Sequence, residues 1–496
     1  MTVDIKFYPV LEDLLNQQVV SPLDIAFAHK YVISPNLKES FVFLAVSSAL
    51  WRCGHPFLVL YENSIRPSVT GVSEAELYQG FASLPQDVRK KLFITVSERL
   101  YLRSQYIIRS ILLKKLSLLT SAVPSYFLPV IDSCVLSEEQ NFVFNKITQK
   151  CFSIVSGGPG TGKTFLAAQL ILSLVKQEPK LRIAIVSPTG KATSHIRQIL
   201  IRYNICEDMV TIQTVHHFLQ EYAYRGYSSI DVLLVDEGSM VTFDLLHSLV
   251  QTLKGYEKDG KLYSSSLIIL GDTNQLPPIG IGVGNPLQDL VAQFPENTFF
   301  LKASHRVKTD EVHQLAQSVL RREVVPFLPL LSISSVIKML RNRFVESLDC
   351  LEMRLCVLTP MRYGPWGFLN LNKKIHQGLA KSHPDLLIPI MITSRYDTWE
   401  LFNGDTGWLC LKTQKLHFPQ REPIDSGAIS QYTYNYVMSV HKSQGSEYDE
   451  VIVIIPRGTE VFGIPILYTA ITRAKHKVSI WADPDTLHRI VKKYDE

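Results

Sequence analysis

This chain of 496 residues has few cysteines, no long apolar run and no strong excess of one charge sign. Its seven cysteines are scattered and form no C-x-x-C pair, which argues against a zinc site or a disulfide framework and favours reduced thiols. No stretch approaches about 18 uninterrupted apolar residues and no basic-then-apolar segment opens the chain, so we expect a soluble, unexported, cytoplasmic protein. The net charge of +5 permits a nucleic-acid partner in a local groove but does not indicate one.

Length and residue periodicity predict several domains, roughly three or four for a chain of this size. Residues 1–120 repeat apolar side chains at helical spacing and predict a helical N-terminal domain. That domain either docks a partner or simply packs on the rest of the protein. A Pro-bearing stretch at 121–135 is typical of a linker, and the segment 320–343 is rich in Pro and Ser and predicts an irregular surface segment.

From Phe152 onward, short apolar runs alternate with helical patterns. Runs this continuous are typical of parallel strands that are buried on both faces of a sheet. They fall into two groups, so we predict an α/β protein with two similar domains, 136–300 and 301–496, and a cleft between them. A small β insertion is expected at about 390–435 within the second domain. The predicted strands are 152–155, 183–186, 232–235, 267–270, 355–358, 451–455 and 478–481.

A glycine-rich loop joins the first of these strands to a predicted helix with the spacing G-x-x-x-x-G-K-T. Glycines there let backbone N–H groups surround phosphate oxygens, and the helix turns its positive end to the same anion. Lys163 can reach the β- and γ-phosphates, and the Thr164 hydroxyl can hold Mg²⁺. The alternative is a glycine turn with a chance lysine. The predicted nucleotide-binding residues of the loop are Gly157, Gly158, Pro159, Gly160, Thr161, Gly162, Lys163, Thr164 and Phe165.

Two other loops follow predicted strands and carry polar side chains. Asp236 would complete the Mg²⁺ shell with Thr164, and Glu237 would orient or deprotonate the water that attacks the γ-phosphate. An acidic pair in this position can also simply cap a helix. Gln275 would hydrogen-bond the γ-phosphate or the attacking water, although a glutamine here, taken alone, fits an ordinary surface turn.

Taken in chain order, these motifs resemble those of superfamily-one DNA helicases, and among them most closely the RecD family, the alpha subunits of exodeoxyribonuclease V. The likeness covers residues 95–480 well and residues 1–95 weakly. The motifs that carry it are 157–164, 187–192, 214–216, 235–240, 271–278, 440–447 and 467–475, together with the phrases 359–372 and 401–407.

The resemblance implies two RecA-like domains, an SH3-like β insertion, and ATP with Mg²⁺ as cofactors. It implies that Gln140 reads the adenine edge, although the same residue fits the capping box of a helix that starts after Ser137. It also implies catalytic arginines, which complete the set Lys163, Glu237, Gln275, Arg306 and Arg473. The implied single-strand groove is lined by Pro188, Thr189, Thr214, His216, His441, Lys442 and Ser443.

The function implied by the resemblance is an ATP-dependent motor that travels 5′→3′ on single-stranded DNA and unwinds duplex ends for recombinational repair. Its partners would be the beta and gamma subunits of exodeoxyribonuclease V. No clustered carboxylates that suit a nuclease stand out, so DNA cleavage is expected in a partner chain. Three alternatives remain: a stand-alone RecD-like helicase, a non-motor assembly subunit that keeps a nucleotide site, and a P-loop small-molecule kinase.

Overall fold

The computed structural model describes residues 8–16, 19–32, 34, 36–52, 55–69, 71–126, 135–203, 205, 209–225, 230–278, 284–303, 310–347, 355–383, 387–419 and 421–492. The chain forms two compact units. The first comprises residues 1–122, 239–253 and 277–296, and the second comprises 123–238, 254–276 and 297–496. None of the helices in the described ranges combines the length and apolar character needed to cross a bilayer.

The first unit opens with helices and a small antiparallel sheet. The helices are α1 (Pro9–Asn16), α2 (Pro22–Tyr31), α3 (Lys38–Arg52), α4 (Glu74–Ala82), α5 (Gln86–Leu92) and α6 (Arg103–Ser121). The strands are β1 (Leu58–Tyr61), β2 (Ser64–Arg66), β3 (Phe93–Val96) and β4 (Arg99–Leu102), in the order β2-β1-β4-β3. Helices were expected in residues 1–120, but the small sheet was not, because strands of three or four residues are too short to show a period in the sequence.

Helix α3 forms the centre of the first unit because it is apolar on nearly every side. Phe43 and Trp51 on this helix are fully buried. Helix α4 crosses α3 so closely that a Cβ on Gly80 would lie 2.4 Å from the backbone oxygen of Glu39. The glycine therefore permits the helix contact on which this core depends.

A parallel sheet organises the first half of the second unit. Its described strands are β6 (Phe152–Gly157), β7 (Ile183–Ser187), β8 (Val210–Thr214), β9 (Val232–Val235), β12 (Ser266–Gly271) and β13 (Thr298–Leu301), in the order β13-β6-β12-β9-β7-β8. The helices around it are α7 (Glu138–Ile147), α8 (Lys163–Gln177), α9 (Gly190–Arg202) and α10 (Val215–Arg225). The four strands predicted in this half are confirmed, and each is buried along its whole length.

Smaller elements branch from this sheet. A hairpin of β10 (Gly255–Lys258) and β11 (Lys261–Ser264) pairs with β5 (Val123–Pro124). Helices α11 (Phe243–Gln251) and α12 (Pro286–Gln293) lie in the chain segments that belong to the first unit.

A second parallel sheet organises the rest of the second unit. Its described strands are β14 (Leu328–Pro329), β15 (Leu355–Thr359), β21 (Val437–Ser439), β22 (Tyr448–Ile455) and β23 (Ala474–Ala482), in the order β14-β23-β22-β15-β21. Its helices are α13 (Asp310–Leu320), α14 (Ile333–Ser347), α15 (Phe368–Ser382), α16 (Gly463–Ile471) and α17 (Pro484–Val491). The three strands predicted here are confirmed.

An antiparallel sheet interrupts this second half where the sequence predicts a β insertion. Its described strands are β16 (Ile388–Ile392), β17 (Thr406–Cys410), β18 (Lys415–His417), β19 (Ile424–Asp425) and β20 (Tyr432–Tyr434), in the order β19-β18-β17-β16-β20.

Helix α14 corrects the expectation of an irregular segment at 320–343. Val336, Leu340 and Phe344 recur at helical spacing and are almost fully buried. The Ser332 hydroxyl accepts a hydrogen bond from the Ser335 backbone N–H at 3.3 Å and so satisfies a free donor of the first turn. The nearby prolines and serines obscured this pattern in the sequence.

Candidate nucleotide and nucleic-acid sites

The glycine-rich loop runs from the end of β6 to the start of α8, as the motif predicts. Gly160 and Gly162 have φ of 79° and 80°, in the left-handed region that glycine adopts without strain. A Cβ on Gly157 would lie 2.6 Å from Thr161 Oγ1 and 2.8 Å from the backbone oxygen of Leu301. Backbone approach this close requires glycine at position 157, so the spacing of the motif is set by sterics as well as by phosphate chemistry.

Lys163 begins α8 and folds back on the loop. Its Nζ donates to the backbone oxygens of Gly157 at 2.6 Å and Gly158 at 3.0 Å. Burial lowers the pKa of Lys163, while the carboxylates of Asp272 and Glu237 act in the opposite direction. The ammonium group therefore donates to two neutral backbone oxygens. A negatively charged phosphate oxygen in the loop would accept a stronger hydrogen bond from it.

Asp236 and Glu237 follow β9, and the Asp236 N–H donates to the backbone oxygen of Val186 at 2.9 Å. Burial, and next the neighbouring Glu237 carboxylate, raise the pKa of Asp236. Asp236 and Thr164 line one small space, whose other walls are apolar side chains of α8, α9, β7 and β9. A hydroxyl and a carboxylate are oxygen donors that suit Mg²⁺, which typically takes few protein ligands and completes its shell with phosphates and water. Glu237 has φ of 51°, an uncommon conformation for a non-glycine residue.

Gln140 lies at the start of α7, where it forms the capping box that its position after Ser137 predicts. Its Oε1 accepts from the Ser137 N–H at 3.1 Å and its N–H donates to Ser137 Oγ at 3.3 Å, which forms a capping box. Its Nε2 also donates to the backbone oxygen of Thr161 at 3.4 Å. The residue therefore caps its own helix and contacts the glycine-rich loop.

The loop that follows β12 contains two buried polar side chains. Gln275 Nε2 donates to Asp272 Oδ2 at 3.3 Å, and Asp272 Oδ2 also accepts from the hydroxyl of Tyr468 at 3.0 Å. The backbone N–H of Leu276 donates to Thr469 Oγ1 at 2.9 Å. Tyr468 and Thr469 lie on α16, so a helix of the second parallel sheet holds a loop of the first.

Arg473 follows α16 and is 4% exposed. Its guanidinium donates to the backbone oxygens of Thr469 at 3.1 Å and Ser446 at 3.4 Å. Burial lowers the pKa of Arg473, and the charges of Glu237 and, next, Asp272 act in the opposite direction. The structure thus brings Arg473 to the acidic loops of the first sheet. The other arginine singled out by the sequence, Arg306, lies outside the described residues.

Four of the predicted groove residues lie together along one cavity of about 710 Å³. They are Pro188, Thr189, Thr214 and His216. The same cavity is lined from the β insertion by Arg395 and Phe402, and from α9 by Arg197. The sequence assigned no role to these last three side chains, although Phe402 lies in the phrase 401–407 that carries part of the resemblance.

The other three predicted groove residues lie in one short 3₁₀ turn. His441 is mostly buried beside the ring of Phe462, and burial lowers its pKa. The exposed Lys442 places its Nζ 5.8 Å from the centre of the Phe368 ring. Ser443 is fully buried and donates to the backbone oxygen of Val440 at 2.7 Å, so its hydroxyl does not face solvent.

Gly445, two residues further on, brings the same segment to the nucleotide loops. A Cβ on Gly445 would lie 4.0 Å from Glu237 Oε1 and 4.0 Å from Thr189 Oγ1. The segment 440–447 therefore lies between a predicted catalytic carboxylate and a predicted groove residue.

Tyr468 is a residue of this site that the sequence did not identify. The sequence signal that could have identified it was its position in the motif 467–475, five residues before Arg473.

Two family descriptions match parts of the chain. Residues 140–281 match the AAA domain, and residues 434–481 match the UvrD-like helicase C-terminal domain. The first region holds the glycine-rich loop, Asp236 and Gln275, and the second holds Arg473.

Three known proteins illustrate the similarity, which covers about two thirds of this chain. The "RecBCD enzyme subunit RecD" of Haemophilus influenzae is 26% identical over an alignment of 436 residues, with coverage of 67% of this chain and 67% of its own. The "ATP-dependent RecD2 DNA helicase" of Deinococcus radiodurans is 27% identical over 381 residues, covering 69% of this chain and 48% of its own. The solved Pif1 helicase from Candida albicans gives a TM-score of 0.43 at 18% identity, covering 70% of this chain and 94% of its own.

Proposed function

We propose that this chain, which is an ATP-dependent DNA helicase of superfamily one similar to RecD, works as the 5′→3′ motor subunit of an exodeoxyribonuclease V complex. One observation carries the proposal. Helix α16 and the residues after it bring Tyr468 and Arg473 to the loops that follow β9 and β12. Residues from both parallel sheets therefore meet at one nucleotide site, which is the arrangement that couples hydrolysis to domain movement.

The nucleotide chemistry follows from the groups around the glycine-rich loop. The loop amides and Lys163 bind the phosphates, and Thr164 with Asp236 would hold Mg²⁺, which neutralises developing charge on the phosphates when bound. Glu237 accepts the proton of the attacking water. Arg473 offers a planar guanidinium to the oxygens of the transferred γ-phosphoryl group, where negative charge grows in the transition state. In this proposal Gln140 contacts the adenine edge.

The proposed path of single-stranded DNA is the cavity described above, which is lined by Pro188, Thr189, Thr214 and His216. Hydroxyls and an imidazole suit sugar and phosphate groups, which give affinity without sequence preference. Arg395 and Phe402 add a cation and an aromatic face from the β insertion. The nearness of Gly445 to both Glu237 and Thr189 supports a link between this path and the hydrolytic centre.

The proposal that this chain works within a complex draws on its relatives, because the similar Haemophilus influenzae protein is described as a RecBCD enzyme subunit. We propose that the chain joins beta and gamma subunits, acts on duplex ends during recombinational repair, and leaves DNA cleavage to a partner chain. The N-terminal unit is the proposed docking domain. The alternative, a stand-alone helicase, draws on the similarity to RecD2.

The test measures ATP turnover and strand separation by the chain alone and with the beta and gamma subunits. Turnover is measured with and without single-stranded DNA, and unwinding is followed on duplexes that carry either a 5′ or a 3′ tail. We expect single-stranded DNA to stimulate turnover, and 5′-tailed duplexes to be opened. Unwinding only from 3′ tails contradicts the polarity, and full activity without partners favours the stand-alone helicase. Turnover that ignores DNA even in the complex contradicts the motor itself.

A further inference from the structure

Gln275 is held at one end of its amide and unpaired at the other. The side chain is 4% exposed. Its Nε2 donates to Asp272 Oδ2 at 3.3 Å, whereas its Oε1 has no hydrogen-bond partner among the described residues. A buried amide oxygen without a donor is costly, so a free oxygen in a nucleotide site points to a group that arrives with the substrate.

Asp272 decides which end of the amide faces the site. Its Oδ1 accepts from the backbone N–H of Asn274 at 3.0 Å, and its Oδ2 accepts from Gln275 and from the hydroxyl of Tyr468. A carboxylate offers only acceptors, so it attracts the NH₂ end of the glutamine and repels the carbonyl end. The carbonyl oxygen of Gln275 is therefore the end turned away from Asp272.

Helix α16 contacts this loop at two consecutive residues. The Tyr468 hydroxyl donates to Asp272 at 3.0 Å, and Thr469 accepts the Leu276 N–H at 2.9 Å. The same hydroxyl lies 3.3 Å from the position that a Cβ on Gly158 would occupy, so it also touches the glycine-rich loop. Arg473 lies just past the end of this helix and donates to the Thr469 oxygen. Movement of α16 therefore displaces the arginine and the phenol together.

We propose that Tyr468 is a positioning residue for ATP hydrolysis, which acts through Asp272 to present the carbonyl oxygen of Gln275 to the attacking water. The inference rests on the proposed function and names a device within the same site. Oxygens of the γ-phosphate are acceptors, so the carbonyl of Gln275 can pair only with a donor such as water. The water oxygen bonds to the γ-phosphorus, the bond to the bridging oxygen of ADP breaks, and the water proton passes to Glu237.

A purely structural role for Tyr468 makes a different prediction. Its ring is packed in the core cluster of the second parallel sheet. If only that packing mattered, phenylalanine would replace tyrosine without effect. If the hydroxyl positions Asp272, its loss must lower the rate of hydrolysis while ATP binding is kept.

The test is Tyr468→Phe in the full chain, with ATP turnover measured across ATP concentrations in saturating single-stranded DNA. A hydrogen bond to a charged group is worth about 1.5–3 kcal/mol, so we expect kcat to fall by roughly ten- to a hundredfold. The KM for ATP should stay within about twofold, because binding is not the step affected. The matched control is Tyr436→Phe, which removes a buried hydroxyl that contacts His376 Nδ1 at 3.3 Å, away from the nucleotide loops. It should keep the kcat of the unsubstituted protein.

A double-mutant cycle tests the route through Asp272. Asp272→Ala removes the shared acceptor, so adding Tyr468→Phe to it should lower kcat no further. Additive losses overturn the inference, as does a Tyr468→Phe protein with unchanged kcat or with a raised KM alone. Because turnover without DNA can also be compared between variants, the inference is tested even if DNA fails to stimulate the unsubstituted protein. That failure would count against the proposed motor, whereas an unchanged kcat in Tyr468→Phe counts only against this inference.

Discussion

Replacing Arg473 by alanine removes a buried cation from the point where γ-phosphoryl charge would develop. Arg473 is 4% exposed, and its charge interacts with the carboxylates of Glu237 and Asp272. Arginines in this role change kcat by about 10³–10⁵. At about 1.36 kcal/mol for each tenfold change, the transition state would lose roughly 4–7 kcal/mol. We therefore expect kcat for ATP to fall by about 10³ or more.

Nucleotide affinity should change far less than kcat in the Arg473→Ala protein. Negative charge grows on the γ-phosphoryl oxygens during the transfer, so a cation placed there stabilises the transition state more than bound ATP. The assay is steady-state turnover in saturating single-stranded DNA, combined with direct binding of a fluorescent ATP analogue. Arg457→Ala is the matched control, because this arginine is 82% exposed and pairs with Asp483 at the surface. It should keep normal turnover.

The alanine variant also leaves the backbone oxygens of Thr469 and Ser446 without the guanidinium donor. Each loss costs about 1–3 kcal/mol of folding free energy if water does not replace the donor, so thermal unfolding must be followed beside turnover. Arg473→Lys keeps the charge but not the planar fork, and should recover little activity. Equal losses of kcat and of ATP affinity, with the fold intact, would refute the transition-state role of Arg473.

Three further substitutions test other parts of the structure. Lys163→Ala should abolish ATP hydrolysis while circular dichroism stays unchanged, and normal turnover would end the phosphate-binding interpretation. Gly157→Ala should abolish binding of a fluorescent ATP analogue, because its Cβ would lie 2.8 Å from the backbone oxygen of Leu301; unchanged binding would show that the loop has room. Asp24→Asn should lower the stability of the first unit by about 2 kcal/mol in denaturant unfolding, since the buried carboxylate binds Arg52 at 2.9 Å. Burial raises the pKa of Asp24, but hydrogen bonds led by that from Arg52 outweigh it and lower the pKa overall. Its stabilisation is therefore present above the unfolded-state pKa of about 3.9 and lost as pH falls through the lower folded value, and the Asn variant should lack this acid-dependent loss.

The parallel sheets could be predicted because their strands are buried on both faces. Continuous apolar runs such as 232–235 and 267–270 have the length of a buried strand and are too short for a buried helix. Loops that follow such runs lie at one edge of a parallel sheet, which is why the loops that carry Lys163, Asp236 and Gln275 could be grouped. The nucleotide site was thus predictable from strand pattern and loop chemistry.

Other features depend on contacts that a sequence does not display. Strands β1 to β4 have three or four residues each, so their alternation cannot be separated from chance. Tyr468 lies within an apolar helix, where an aromatic residue is typical of a core, and only its contact with Asp272 reveals a second role. Ser443 was expected in the groove because hydroxyls bind phosphates, but it satisfies a backbone oxygen inside the fold. The contact of Tyr468 joins distant parts of the chain, whereas that of Ser443 is local, and neither partner can be identified from residue type alone.

The order of the chain ties the hydrolytic loops covalently to the first unit. The polypeptide leaves the second unit immediately after Gly238, one residue beyond Glu237, and again after Leu276, one residue beyond Gln275. Each exit leads into a helix of the first unit, α11 or α12, before the chain returns. The chain also crosses between the units at 122–123, 253–254 and 296–297. A protein that binds the first unit would therefore pull on segments that continue directly into the loops of Glu237 and Gln275, the residues proposed to orient the attacking water. Force applied to the first unit by an assembly would then change kcat for ATP and leave the affinity for nucleotide unchanged.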